Sequence, residues 1–479
     1  MGRTMALNSR DRRSGVDARA LATLKATMAE LDRDSPIYVR IATALTAQVA
    51  SGQLSPGQPL PSHRELARSL DVNLTTITKA FNLLKKRGVI SAEAGRGTAV
   101  RGRDLNHAAP SYDQPRLPPA IDLSVHKLNV PGYQEFIGSL LRKIASHPDD
   151  LARLQEYHSA FGSNHNRRLA VEWLLSWGVS ATPNQVAVTA GAQHAILVVL
   201  ASVLTAGDSI LVPRLVYQGV KAAAQVLGLG LIPVDTDEHG MIPDSLARLV
   251  GNPRVKAIFL VPTLANPTTV TMPLDRRQAI VDIARRNSLL IVEDDLFRPL
   301  ASNRLPSLWS LYPEGCFHIS SLSKVIAPGN RCGFVAFPER YGAAIASALR
   351  GSIWMTDVIS LTLVQSLLEQ KKHLEFVGTL RQQLTTRHSL ALNHFGGALA
   401  KSDPESLFLW LDLDSAQDST AVAETLYERG IGVVSSDVFM IGKTKPSNGI
   451  RIYKGSARSD TEWDIALSLI ATLLRKPEQ

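Results

Sequence analysis

Cysteine is nearly absent: Cys316 and Cys332 are the only two in 479 residues. That is too few for a disulfide framework, and it fits a reducing cytoplasm, with both thiols read as small buried hydrophobes. Long apolar runs are missing as well. No stretch approaches the roughly 20 apolar residues a spanning helix requires, and the opening MGRTMALNSRDRR lacks the apolar core of a secretory signal. A membrane partner is therefore not expected. Excess charge is missing over most of the length: residues 104 to 479 carry 35 basic and 35 acidic side chains, whereas residues 1 to 103 carry 17 against 8, the whole of the net +9. An imbalance confined to one end favours a polyanion partner for that end alone, nucleic acid before membrane. With 45% hydrophobic residues the chain can bury substantial cores, and its length predicts two or three domains.

Residues 1 to 34 form a tail of mixed composition. From 35 to 103 the pattern is regular. Ile37, Ile41, Leu45 and Val49 recur at helical spacing. The turn-rich SPGQPLPS follows, and Ser62 offers an N-cap for HRELARSL. Asn73 can cap a third helix that Gly88 ends, and VISAEAGRGTAVRG reads as two short strands around a Gly-Arg-Gly turn. Helix, helix, short turn, helix and hairpin is the plan of a winged helix-turn-helix. Residues 104 to 119 are polar and proline-rich, as a linker is. From 120 to 479 short apolar runs such as SILVP, AIFLVP and LLIVEDD alternate with helical segments, which predicts an α/β fold with a mainly parallel sheet covered on both faces. The stretch from about residue 351 ends in SLFLWLDL, GIGVVSS and GIRIYKGS, strands of a smaller α+β subdomain. No internal repeat is visible.

In the basic region, Arg64 falls on the first turn of the second helix, where a cation and a helix N-terminus both favour phosphate. Asn73, Thr75 and Thr76 fall at the start of the third helix, the part that enters the major groove in this motif, and Arg96 and Gly97 form the wing tip. This segment resembles the winged helix domain of GntR-type bacterial regulators along almost its whole length, which implies double-stranded operator DNA as partner. It departs from many relatives in carrying Leu74 and Thr78 where they carry basic residues. That removes a guanidinium able to bind guanine bidentately, so the family's operator sequence does not transfer.

The most informative run is HISSLSKVIAPGNRCGF. Lys324 can form a Schiff base with a carbonyl, and Ser321, Ser323 and Arg331 beside it can hold a phosphate dianion. Gly191-Ala192-Gln193 forms a strand-to-helix turn whose free N–H groups and dipole attract the same group. Asp294 ends an apolar strand, where α/β sheets place ligands, with Glu293 and Asp295 as rivals for any role there. Residues 120 to 479 resemble fold-type I aminotransferases, and the order of modules resembles the MocR subfamily of GntR regulators. The resemblance implies pyridoxal 5'-phosphate as cofactor, with Lys324 as its Schiff-base lysine and residues 191 to 193, Ser321, Ser323 and Arg331 around its phosphate. It also implies Asp294 at the pyridine nitrogen, Asn266 at the ring hydroxyl and Tyr217 stacked on the ring. Tyr157 would reach the phosphate of the partner subunit in a homodimer, and Arg451 would clamp the carboxylate of a small amino-group effector. No metal site is expected.

Relatives carry a tyrosine three residues after the aspartate, where this chain has Phe297. The stacking surface survives and a phenol donor to the ring oxygen is lost, so cofactor binding is expected to persist while efficient transamination is not. Two functions fit these residues: a transcription regulator that senses an amino compound or a vitamin B6 form, and a working aminotransferase with an accessory DNA-binding domain.

Overall fold

The computed structural model describes residues 24–28, 36–50, 54, 60–86, 89–93, 97–100, 118–128, 130–399, 402–442 and 447–474. These fall into two compact units, one on each side of residue 107. No helix among them is long and apolar enough to cross a membrane.

The smaller unit packs helices α1 (Ile37–Ala50), α2 (His63–Leu70) and α3 (Leu74–Lys86) with an antiparallel hairpin of β1 (Ile90–Glu93) and β2 (Gly97–Val100). Ile41, Leu45, Leu66, Ile77, Phe81 and Leu84 form its core with Ile90 and Val100. Ile37 shares their period but stays 42% exposed, because the first turn of α1 runs beyond that core. A reciprocal capping box starts α2: Ser62 Oγ accepts from Glu65 N, and the Glu65 carboxylate accepts from Ser62 N. Asp71 follows in the left-handed region (φ 52°) and turns the chain into α3. Asn73 Oδ1 accepts from Thr75 N at 3.0 Å and Thr75 Oγ1 at 3.1 Å, so the first turn of α3 is capped by the residue the sequence nominates. Arg96 lies outside the described residues; Gly97 opens β2 opposite Glu93.

In the larger unit, β3 (Ile121–Asp122) precedes a seven-stranded sheet. Its strands are β4 (Val186–Thr189), β5 (Ser209–Pro213), β6 (Gly230–Val234), β7 (Val255–Leu260), β8 (Leu290–Asp294), β9 (Cys316–Ser321) and β10 (Gly333–Ala336), in the spatial order β4-β10-β9-β8-β7-β5-β6. Only β10 runs antiparallel, against both neighbours. β8 and β9 are buried along nearly their whole length, as strands covered on two faces must be. Helices α4 (Ala192–Val203) and α5 (Gln218–Leu227) follow β4 and β5.

β11 (Phe408–Asp412), β13 (Val434–Ser435) and β14 (Gly449–Tyr453) form a three-stranded antiparallel sheet, and β12 (Ile431–Gly432) pairs in parallel with β3. The core of this subdomain gathers Leu123, Ala391, Leu409, Ile450, Ile452 and Trp463. Side chains from Leu361 to Leu384 pack instead into the large core. β3, from the start of the unit, thus joins the small subdomain.

Candidate functional site

Strand register brings distant residues together at one end of the sheet. Ser321 lies opposite Gly333, and Gly333 opposite Thr189, so the turn before α4 and the turn around Arg331 meet above three adjacent strands. Gly191 has φ 85°, a conformation side chains rarely adopt, and a Cβ on it would lie 2.9 Å from Arg331 Nη2. Glycine is needed here both for the turn and for the guanidinium that closes against it. Arg331 Nη2 donates to Ala190 O at 3.1 Å, and Ser321 Oγ lies 3.2 Å from Ser323 Oγ. The first N–H groups of α4 have no acceptor within the helix. Ser321 Oγ also donates to Cys332 O at 2.8 Å, so two hydroxyls, a guanidinium and a helix start lie at one end of the sheet, groups that could hold a phosphate once the Ser321 hydroxyl turns.

Asp294 ends β8 fully buried, with Oδ1 lacking a hydrogen-bond partner among the described residues. Burial, reinforced by Asp295, pushes its carboxyl up to about 7, while Lys324 nearby pulls it down. A buried acid with an open oxygen is a fit for a cationic ring N–H. Glu293 is engaged through both oxygens, and Asp295 through one, its Oδ1 also lacking a partner among the described residues. Glu293 accepts from Leu308 N and Trp309 N and contacts His318 Nδ1 at 2.8 Å. Asp295 pairs one oxygen with Arg298 Nη1 at 3.3 Å. Alternation along β8 turns Glu293 and Asp295 one way and Asp294 the other.

The ionisation of Asp294 gives a pH prediction for cofactor-free protein. Its folded value lies above the ordinary 3.8, so stability falls as pH rises from about 4 to about 7 and is level above that. Asp294→Asn should remove a loss on the order of a few kcal/mol. Denaturant midpoints at pH 5 and pH 8 measure it: the wild type should drop more than the variant between the two.

Tyr217 caps α5 and is mostly buried; burial first and the Asp294 charge second push its phenol up to about 12. Asn266 is buried, and its Oδ1 accepts from Arg451 Nη1 at 2.9 Å. Arg451 Nη2 donates to Ser124 O at 3.2 Å. The guanidinium is 6% exposed and lies 4.8 to 5.0 Å from the rings of Phe408, Phe439 and Tyr453. Phe297 is buried edge-on against Phe408, which packs on Tyr453 at 4.7 Å; Lys324 Nζ stands 6.0 Å from the Tyr453 ring. Tyr157 is not brought to this group: it is 82% exposed.

Two residues at the site escaped the sequence reading. Tyr453 lies two residues after Arg451 on β14 and so on the same face, a signal alternation carries. His126 follows β3, and its Nε2 lies 3.0 Å from the carbonyl oxygen of Ser323. No local pattern marks it.

In the smaller unit, Arg64, Asn73 and Thr75 are exposed along one stretch of α2 and α3, Thr76 is half-buried, and Leu74 beside them is 42% exposed. Replacing Arg64 with alanine should weaken DNA binding and flatten the slope of log affinity against log salt by about 0.9. Fluorescence anisotropy at several salt concentrations checks this; an unchanged slope removes Arg64 from the interface.

Residues 140–470 match the model for aminotransferase class I and II, and residues 37–100 match that for bacterial regulatory proteins of the gntR family. The chain is 29% identical over 446 residues to the HTH-type transcriptional regulator YdeF of Bacillus subtilis strain 168, covering 92% of this chain and 95% of that one. It is 29% identical over 444 residues to the HTH-type pyridoxine biosynthesis transcriptional regulator PdxR of Corynebacterium glutamicum, with 89% and 94% covered. An archaeal alanine:glyoxylate aminotransferase superposes with a TM-score of 0.68 at 22% identity, over 74% of this chain and 90% of that one, a likeness of fold.

Proposed function

The chain belongs to the aminotransferase class I and II family and carries a GntR-type DNA-binding domain ahead of it, the module order of MocR regulators, and on that premise we propose that its large domain reports a small amino compound or a vitamin B6 form to the DNA-binding domain. Pyridoxal 5'-phosphate, the cofactor of this family, supplies an aldehyde that condenses with primary amines and an electron-withdrawing ring. Ser321, Ser323, Arg331 and the turn at 191 to 193 would hold its phosphate, and Asp294 its ring nitrogen. Tyr217 would cover the ring and Asn266 would face its hydroxyl. Lys324 would carry the covalent link, and Arg451 would orient a carboxylate. Tyr157, exposed in one chain, is available to a partner subunit in a homodimer, the assembly that would pair two winged helices over two half-sites.

The observation that carries this reading is the buried, open Oδ1 of Asp294 beside Lys324, behind a DNA-binding domain. Sensing asks only for reversible engagement of an amine at Lys324, whereas a working enzyme must also accept a keto acid and cycle. Phe297 favours the former: no phenol stands at that position. Phe297→Tyr should move the pH titration of the lysine-bound cofactor's visible band to lower pH, because a new donor stabilises the ring oxygen's anion; an unmoved titration would mean that residue 297 does not face the ring. The proposal is tested by screening amino acids, amines and B6 forms for spectral changes in the purified protein, then repeating the hits with the DNA that the protein itself selects from genomic fragments. Hits that cycle with keto acids at enzyme rates and leave DNA affinity unchanged would replace sensing with catalysis.

A further inference from the structure

His126 lies within electrostatic reach of both the lysine and the arginine. Its Nε2 meets the Ser323 carbonyl oxygen at 3.0 Å, one residue from Lys324, and its ring centre lies 5.3 Å from that of Tyr453. Tyr453 in turn lies 4.8 Å from the Arg451 guanidinium and 6.0 Å from Lys324 Nζ. A carbonyl oxygen only accepts, so the ring proton must sit on Nε2, which leaves Nδ1 a bare acceptor. That Nδ1 is buried and has no hydrogen-bond partner among the described residues. Burial first, then the Lys324 charge and more weakly that of Arg451, hold the imidazole's pKa well below its ordinary value, so it stays neutral and remains an acceptor.

Buried acceptors are nearly always satisfied, and one left open inside a ligand site is open to the ligand. We propose that His126 Nδ1 reads the effector, accepting a hydrogen bond from a hydroxyl or amide N–H carried close to its α-carbon. With the amino group of an α-amino acid held towards Lys324 and its carboxylate towards Arg451, as proposed above, the atoms around the α-carbon would face the imidazole. The class is therefore amino acids with a short donor-bearing side chain, and plain aliphatic amino acids are the ones excluded. A site built around an acceptor discriminates against analogues that lack the donor, since the acceptor is then left unpaired. The inference rests on reading this site as an effector site.

The test uses the full-length, cofactor-loaded protein and two matched pairs, L-serine with L-alanine and L-threonine with L-2-aminobutyrate. Half-saturation is read from the visible spectrum. The wild type should prefer the hydroxylated member of at least one pair by roughly tenfold or more, the size of a well-made hydrogen bond in a dry site. His126→Phe keeps a ring and loses the acceptor, so the preference should collapse towards unity while the cofactor stays bound. His126→Asn retains an acceptor near the Nδ1 position and should keep much of the preference even where the phenylalanine variant folds poorly. Equal binding within both pairs by the wild type, full preference in the phenylalanine variant, or loss of preference in the asparagine variant would each overturn the assignment. If the cofactor loads but no amine of any kind alters the spectrum, the effector-site reading itself fails, and this inference with it.

Discussion

Borohydride treatment of the purified protein should fix pyridoxal 5'-phosphate to the peptide that contains Lys324, and Lys324→Ala should abolish the visible band of the lysine-bound cofactor. The effect should be large because the covalent link depends on this one side chain. Lys324 is half-buried at the end of β9, close enough to Asp294 for its charge to lower that carboxyl and with its Nζ 6.0 Å from the Tyr453 ring. Lys454, next to Tyr453, is fully buried with its Nζ donating to Pro404 O at 2.7 Å, and Lys221 Nζ donates to the carbonyl oxygens of Val438 and Met440. Mass spectrometry of the reduced digest decides the matter. The phosphate cradle does not depend on the lysine side chain, so the variant should still retain cofactor weakly and without the covalent band. A label on a different lysine would undo the assignment of the whole site.

Arg451→Ala should uncouple a carboxylate effector from DNA while leaving the cofactor and basal DNA affinity near normal. An effector can shift the equilibrium between DNA-binding states only by its differential affinity for them, a coupling typically worth about 1–3 kcal/mol, or 5- to 150-fold in operator affinity. Arg451 is the cation that the ring cage and Asn266 hold in place, and its loss would remove the bidentate grip proposed for the carboxylate. Titration of labelled operator DNA with and without effector measures the response. A full response in the variant would mean that the effector has no carboxylate or binds elsewhere.

Much of this site is legible because its chemistry is local in sequence. Ser321, Ser323, Lys324 and Arg331 lie within one turn-rich run, and the Gly191 turn announces a strand-to-helix switch. That the two runs meet follows from β10 inserting antiparallel between β4 and β9, an order that alternating strands and helices do not reveal. Asp294 separates from Glu293 and Asp295 only once the faces of β8 are known: one neighbour satisfies the start of a short helix at Leu308 and Trp309, and the other pairs with Arg298. Tyr453 could have been found from the two-residue period of β14. His126 could not, because it contacts a residue 197 positions away from a segment with no regular structure around it. Helical side chains from Leu361 to Leu384 carry the same apolar pattern whichever core they join.

If occupancy of the cofactor domain sets DNA affinity, the effect must be reciprocal. An amine that changes the visible spectrum of the full-length protein is titrated twice, with saturating operator DNA and without it, and operator affinity is measured with and without that amine. The expected result is that the amine's affinity and the operator's affinity change by the same factor, between 5- and 150-fold. Saturation of the spectral change with operator affinity unmoved would contradict it.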